Sequence, residues 1–178
     1  MTQFKKVILS AGIALAATTV GAEAHPGHLG AHGFLAGFTH PFSGFDHIIA
    51  MVAVGIFAAR LGGRAIWAVP ATFVALMAMG GVWAIFGLPM VFVEGGIFLS
   101  MFVLPAIAFL RWKTPVALAM GLVGFFAVFH GYAHGLEMPI DASGFEFGTG
   151  FVLATSILHI IGLAGGLVVA RARTALTA

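Results

Sequence analysis

The stretch HPFSGFDHIIAMVAVGIFAARLGGR runs from His40 to Arg64. An apolar run starts at Ile48 and closes on Arg60 and Arg64, while His40, Asp46 and His47 stand at its opposite end. Pro41 and Gly44 interrupt that end. Proline suits the first turn of a helix and not its interior. The stretch therefore predicts a short helix or re-entrant piece before the proline, over about residues 30–39, a break near Pro41/Gly44, and a main membrane span starting near Pro41. It also leaves a carboxylate and two imidazoles where lipid would be a poor neighbour.

The rest of the chain repeats this pattern. Of 178 residues, 61% are hydrophobic and 8% charged, against about 25% charged in soluble domains. Apolar runs fall at 33–59, 65–87, 90–110, 115–135 and 147–170. Arg60 and Arg64, then Arg111 and Lys113, then Arg171 and Arg173 mark alternate breaks. Gly87-Leu88-Pro89 forms one of the other breaks, and the last holds Glu137, Asp141 and Glu146. This is the pattern of an all-α, polytopic membrane helix bundle with about five spans, basic ends cytoplasmic and the C-terminus inside. Six spans is the alternative count if the broken first run crosses twice.

Residues 1–24 read as a cleaved signal peptide. Lys5 and Lys6 precede the apolar Val7 to Val20, and Ala22-Glu23-Ala24 is a small-x-small site. Residues 25–178 then form a single transmembrane domain with six basic and five acidic residues and a periplasmic N-terminus at His25. That balance gives no reason to expect a nucleic-acid partner. The chain has no cysteine, which excludes disulfides, iron–sulfur clusters and thiolate metal sites. A bound metal must accept nitrogen and oxygen ligands.

The second decisive stretch is FHGYAHGLE, Phe129 to Glu137. His130 and His134 are i and i+4, and Glu137 follows His134 by three, so the three stack along one helical face. Counted at about 1.5 Å per residue from the basic helix ends, His40, His47, Glu94, His130 and His159 all fall in the outer half of the bilayer. Asp46 and His47 are adjacent and diverge by about 100° on a helix. One could ligate while the other orients a ligand, or a break near Gly44 could bring His40 back toward them. An intramembrane charge costs about 2.5–3.5 kcal/mol on insertion scales and marks function by default. The expected metal ligands are His40, Asp46, His47, His130, His134 and Glu137. Glu94 reads equally as a ligand and as an interfacial residue. His25, His28 and His32 form a separate cluster that reads either as a metal-gathering tail or as incidental polar sequence. His159 reads as a satisfied core histidine, structural in role. Deeper along a path the options for exit are backbone carbonyls, Ser100, Thr72, water or a partner.

At these two stretches the sequence resembles the HupE/UreJ family of bacterial nickel permeases. A histidine, five residues and Asp-His match at His40 and Asp46-His47; Phe-His-Gly-x-Ala-His-Gly-x-Glu matches in full at Phe129 to Glu137. The resemblance implies uptake of Ni²⁺, with Co²⁺ as an alternative, across the inner membrane to serve hydrogenase or urease maturation. The ion is a substrate, and no organic cofactor is implied. Lipid and cytoplasmic nickel chaperones are the expected partners, and the oligomeric state is open. The chain would be a transporter and not an enzyme. Two rivals use the same residues: an intramembrane hydrolase holding Zn²⁺ and an activated water, and a periplasmic metal-binding accessory that transports nothing. A haem sandwich fits poorly, because His130 and His134 share a helix face.

Overall fold

The computed structural model describes residues 33–110, 114–139 and 142–177. The expected signal peptide, His25, His28, His32, Arg111, Lys113 and Asp141 lie outside the described residues. Within them every regular element is helical. Helix α1, Phe34–Thr39, runs into a 3₁₀ turn, His40–Phe42, and α2 follows at Phe45–Leu61. Helices α3 (Ala65–Ile85), α4 (Val93–Phe109), α5 (Val116–Leu136) and α6 (Gly144–Thr177) complete the chain.

The break in the first run has a local cause. Pro41 follows His40 in the first positions of the 3₁₀ turn, where its missing N–H costs least. Ser43 Oγ then donates to the His40 carbonyl at 2.7 Å, and Gly44 is extended at φ −98°, ψ 118°. The helix restarts only at Phe45, beyond the expected start near Pro41, and the two pieces are bent by 81°. Asp46 Oδ1 accepts the His47 backbone N–H at 2.8 Å. The carboxylate thus satisfies one of the donors a helix N-terminus exposes and complements its dipole. At the other end Gly62, with φ 70°, stops α2.

Helix α3, helix α5 and Gly144–Ala172 of α6 are each long and apolar enough to cross a membrane, and the bent α1–α2 pair supplies a fourth candidate. Helix α4 has 17 residues, a little short of the roughly 20 that a plain span needs. The chain is a multi-pass helical membrane protein. Close glycine contacts bring its helices together in pairs. A Cβ on Gly131 of α5 would overlap the Met77 backbone of α3. One on Gly55 of α2 would overlap the His159 carbonyl of α6, and one on Gly162 the Val52 carbonyl. Such backbone approach is how helices associate where lipid supplies no hydrophobic drive.

The bundle is apolar on its surface and largely apolar within, where Met51, Phe57, Phe73, Leu104 and Val123 form the core, and a few polar residues are buried among them. Trp67, Phe98, Phe102, Phe125 and Val168 lie on the surface. His47, Ser100, His130, Thr155 and His159 are buried.

Candidate metal centre

Helix α5 supplies His130 and His134 and ends on Glu137; the 3₁₀ turn supplies His40, and the first turn of α2 supplies His47. The 81° bend is what brings the turn to α5. Without it His40, two turns upstream of His47, would continue along the α2 axis. The bend sets His40 Nε2 at 2.8 Å from Glu137 Oε2 and 3.1 Å from His134 Nδ1, with His134 Nδ1 at 2.9 Å from Glu137 Oε2. Three ligand atoms thus form a nearly equilateral triangle. Ligands at about 2.1 Å from one divalent cation, at right angles to each other, stand about 3.0 Å apart. The triangle has those dimensions as it stands.

A second group lies beneath it. His47, His130 and His134 each offer a ligand atom within 4.8 Å of the others. The two groups share His134: its Nδ1 faces the triangle, and its Nε2 meets His47 Nδ1 at 3.1 Å. Exposure falls steadily along the series. The Glu137 side chain is 55% exposed, His40 27% and His134 13%, while His47 and His130 are at 0%. The groups therefore lie along a line from solvent to the protein's interior. Phe151 walls this line, its ring 4.8 Å from that of His134, 5.2 Å from His47 and 6.0 Å from His40.

Hydrogen bonding orients the rings. The Glu137 carboxylate can only accept, so it takes the His134 Nδ1–H and the His40 Nε2–H. His134 Nε2 is then a lone pair that accepts from His47 Nδ1–H. His47 Nε2 in turn faces the Thr155 hydroxyl at 3.2 Å. Glu137 lies just past the end of α5. Hydrogen bonds from His134 and then His40 hold its carboxyl well below the usual carboxylate range. His130 is set separately. Ser100 Oγ donates to the Ile97 carbonyl at 2.6 Å, so it accepts from His130 Nε2–H at 2.9 Å. That leaves His130 Nδ1 a buried lone pair without a partner among the described residues.

Asp46, expected among the ligands, belongs to neither group. Adjacent helical residues diverge, and its carboxylate is engaged by the α2 N-terminus while His47 joins the histidines of α5. Glu94 is exposed in the first turn of α4, outside both groups. His159 is buried as expected, at 2% exposed, but it is not satisfied. Among the described residues neither ring nitrogen has a hydrogen-bond partner, a deficit worth about 1–3 kcal/mol for a buried donor. Thr72 bonds its own helix at Ala68. Sequence reasoning does not single out Phe151 or Thr155. Both lie in the apolar run 147–170, which carries no Asp, Glu, Lys or Arg and offers no motif around them.

The model of the HupE / UreJ protein family matches residues 13–178. The chain is 46% identical over 151 residues to Protein HupE of Rhizobium leguminosarum bv. viciae, an alignment covering 84% of this chain and 78% of that protein. No solved structure matches the chain significantly. With the family match spanning nearly its whole length, the chain belongs to the HupE/UreJ family.

Proposed function

We propose that this protein is a permease that takes Ni²⁺, or Co²⁺ as the alternative, across the bacterial inner membrane to supply hydrogenase or urease maturation. One observation carries the reading: two three-ligand groups share His134 and lie in line from the exposed Glu137 to the buried His130. A resident metal, structural or catalytic, needs a single site. A transported ion needs successive sites, each able to release it.

In this reading Glu137, His40 and His134 receive the cation from the periplasm, and His47, His130 and His134 take it next. Asp46 positions His47 by holding the α2 N-terminus. Imidazole and carboxylate donors suit a borderline divalent metal over Mg²⁺ or Ca²⁺. His40 Nε2 and His134 Nδ1 carry protons in the hydrogen-bonded network, so capture of the cation releases or relocates protons. Five spans follow a cleaved signal peptide, with the mature N-terminus periplasmic and the C-terminus cytoplasmic, where nickel chaperones receive the ion. An inward-negative potential favours the movement by about 4.6 kcal/mol per 100 mV for two charges.

The test is radionickel uptake into proteoliposomes containing only this protein, with Co²⁺ and Zn²⁺ as competitors. Saturable uptake lost in His47→Ala and His130→Ala is the expected result. Wild-type vesicles that bind nickel yet accumulate none would leave an accessory role instead.

A further inference from the structure

His159 lies one turn beyond Thr155 on α6, and Thr155 is the residue that meets His47. The step from 155 to 159 advances about 6 Å along the helix axis. The Phe73 ring bridges the two levels, 6.0 Å from the His130 ring and 5.3 Å from that of His159. His159 is thus a further imidazole beside the two groups, joined to His130 through Phe73 and to His47 through the turn that carries Thr155. It is enclosed by the bundle, and neither of its nitrogens has a hydrogen-bond partner among the described residues.

A packing role does not account for that combination. A leucine or phenylalanine would fill the space without leaving polar atoms unmatched in the interior. Glycine contacts also hold the backbone here independently of the side chain, since Gly55 of α2 packs on the His159 carbonyl. What the imidazole adds is a nitrogen lone pair at a depth where the described residues offer no carboxylate. We propose that His159 is a third coordination station for the divalent cation, receiving it after His47 and His130. This rests on the permease reading above. A single imidazole holds a cation more weakly than a group of three, which suits a station the ion must leave.

The chain contains no cysteine, so a cysteine placed at 159 reports on that position alone. His159→Cys is purified intact in detergent and titrated with Ni²⁺. Thiolate-to-nickel charge-transfer absorption that saturates with added metal is the expected result, because thiolate is itself a nickel ligand. In proteoliposomes, His159→Phe should slow uptake at least tenfold while leaving equilibrium nickel binding within twofold of wild type, and His159→Cys should restore part of the rate. No charge-transfer band in a variant that still binds nickel overturns the proposal. So does wild-type uptake by His159→Phe, and so does equal loss of binding and uptake in both variants, which would assign His159 to the fold. Wild-type protein that transports nothing removes the permease reading; a His159→Phe variant that transports normally removes only the third station.

Discussion

Gly131→Ala tests whether the histidines of α5 are placed by the packing of that helix on α3. A Cβ at this position would overlap the oxygen, carbon and Cα of Met77. These are backbone atoms within α3, so they cannot rotate aside. A carbon normally rests about 3.3–3.6 Å from a carbonyl oxygen, so the helices must separate by roughly an ångström or more. The strain expected of such overpacking is about 1–3 kcal/mol. Gly131 adjoins His130, so the same shift carries His130 and His134 away from their partners on α2 and the 3₁₀ turn. Misplacing a reacting group by about 1 Å can cost about 100-fold in rate, and a comparable loss of uptake is expected. Initial rates of radionickel uptake and thermal unfolding in detergent measure the two effects. Gly95→Ala and Gly121→Ala, where a Cβ would meet nothing within 4 Å, serve as controls and should behave as wild type. Normal uptake by a correctly inserted Gly131→Ala protein would mean that the contact with α3 does not place the histidines.

The shared imidazole makes a second distinction. His40→Ala and His130→Ala each leave one three-ligand group intact and should retain some nickel binding at equilibrium, whereas His134→Ala breaks both and should abolish it. Wild-type binding by His134→Ala would remove the two-group description. Asp46→Asn keeps an oxygen acceptor for His47 N–H and loses only charge at the helix N-terminus, about 0.3–1 kcal/mol; Asp46→Ala loses the acceptor too, about 1 kcal/mol more. Uptake should therefore rank wild type, Asn, Ala, and complete loss in Asp46→Asn would mean the charge acts on the cation directly. Uptake should fall on acidification, as protons compete with the cation for imidazole nitrogen. Glu137 is held below the usual carboxylate range, so its stabilising contribution is full above about pH 4.3 and fades only as pH falls through the lowered value. Glu137→Gln should accordingly slow uptake without flattening the acid limb, and a flat pH profile in that variant would assign the limb to Glu137.

Much of this architecture is legible in the residues. Apolar run lengths locate the helices, and Pro41 with Gly44 locates the break, because a missing donor and an extended glycine are local properties. The helix itself restarts later than the proline suggests, since Ser43 and Gly44 also have to be accommodated. His130, His134 and Glu137 are readable as one face from spacing alone. The meeting of His40 with that face is not, because it depends on an 81° bend that spacing does not give. Ser100 and Thr155 cannot be assigned to His130 and His47 from sequence, since a hydroxyl in an apolar helix can equally bond its own backbone, as Thr72 does. His159 shows the opposite limit. Burial is foreseeable from its apolar neighbours, but whether the described residues offer its nitrogens a partner depends on what faces it from other helices.

The alternation of histidine and glycine in FHGYAHGLE follows from two demands on one helix. His130 and His134 are four apart and share a face; Gly131 and Gly135 are also four apart and share another, rotated by about 100°. The glycine face lies against α3, with Gly131 on Met77 and Gly135 on Gly81. The histidine face meets His47 and His40. Ligand geometry at the ångström level requires that the helix carrying the ligands be fixed in both rotation and distance. Backbone contact at the glycines fixes both, because a smooth surface pressed on another backbone leaves no side chain to readjust. A substitution on the glycine face is therefore expected to act on the cation sites without touching a ligand, and one on the histidine face to remove a ligand without moving the helix. Comparing unfolding temperature with nickel binding separates these cases: Gly131→Ala should lower both, and His130→Ala should lower binding with a much smaller change in stability.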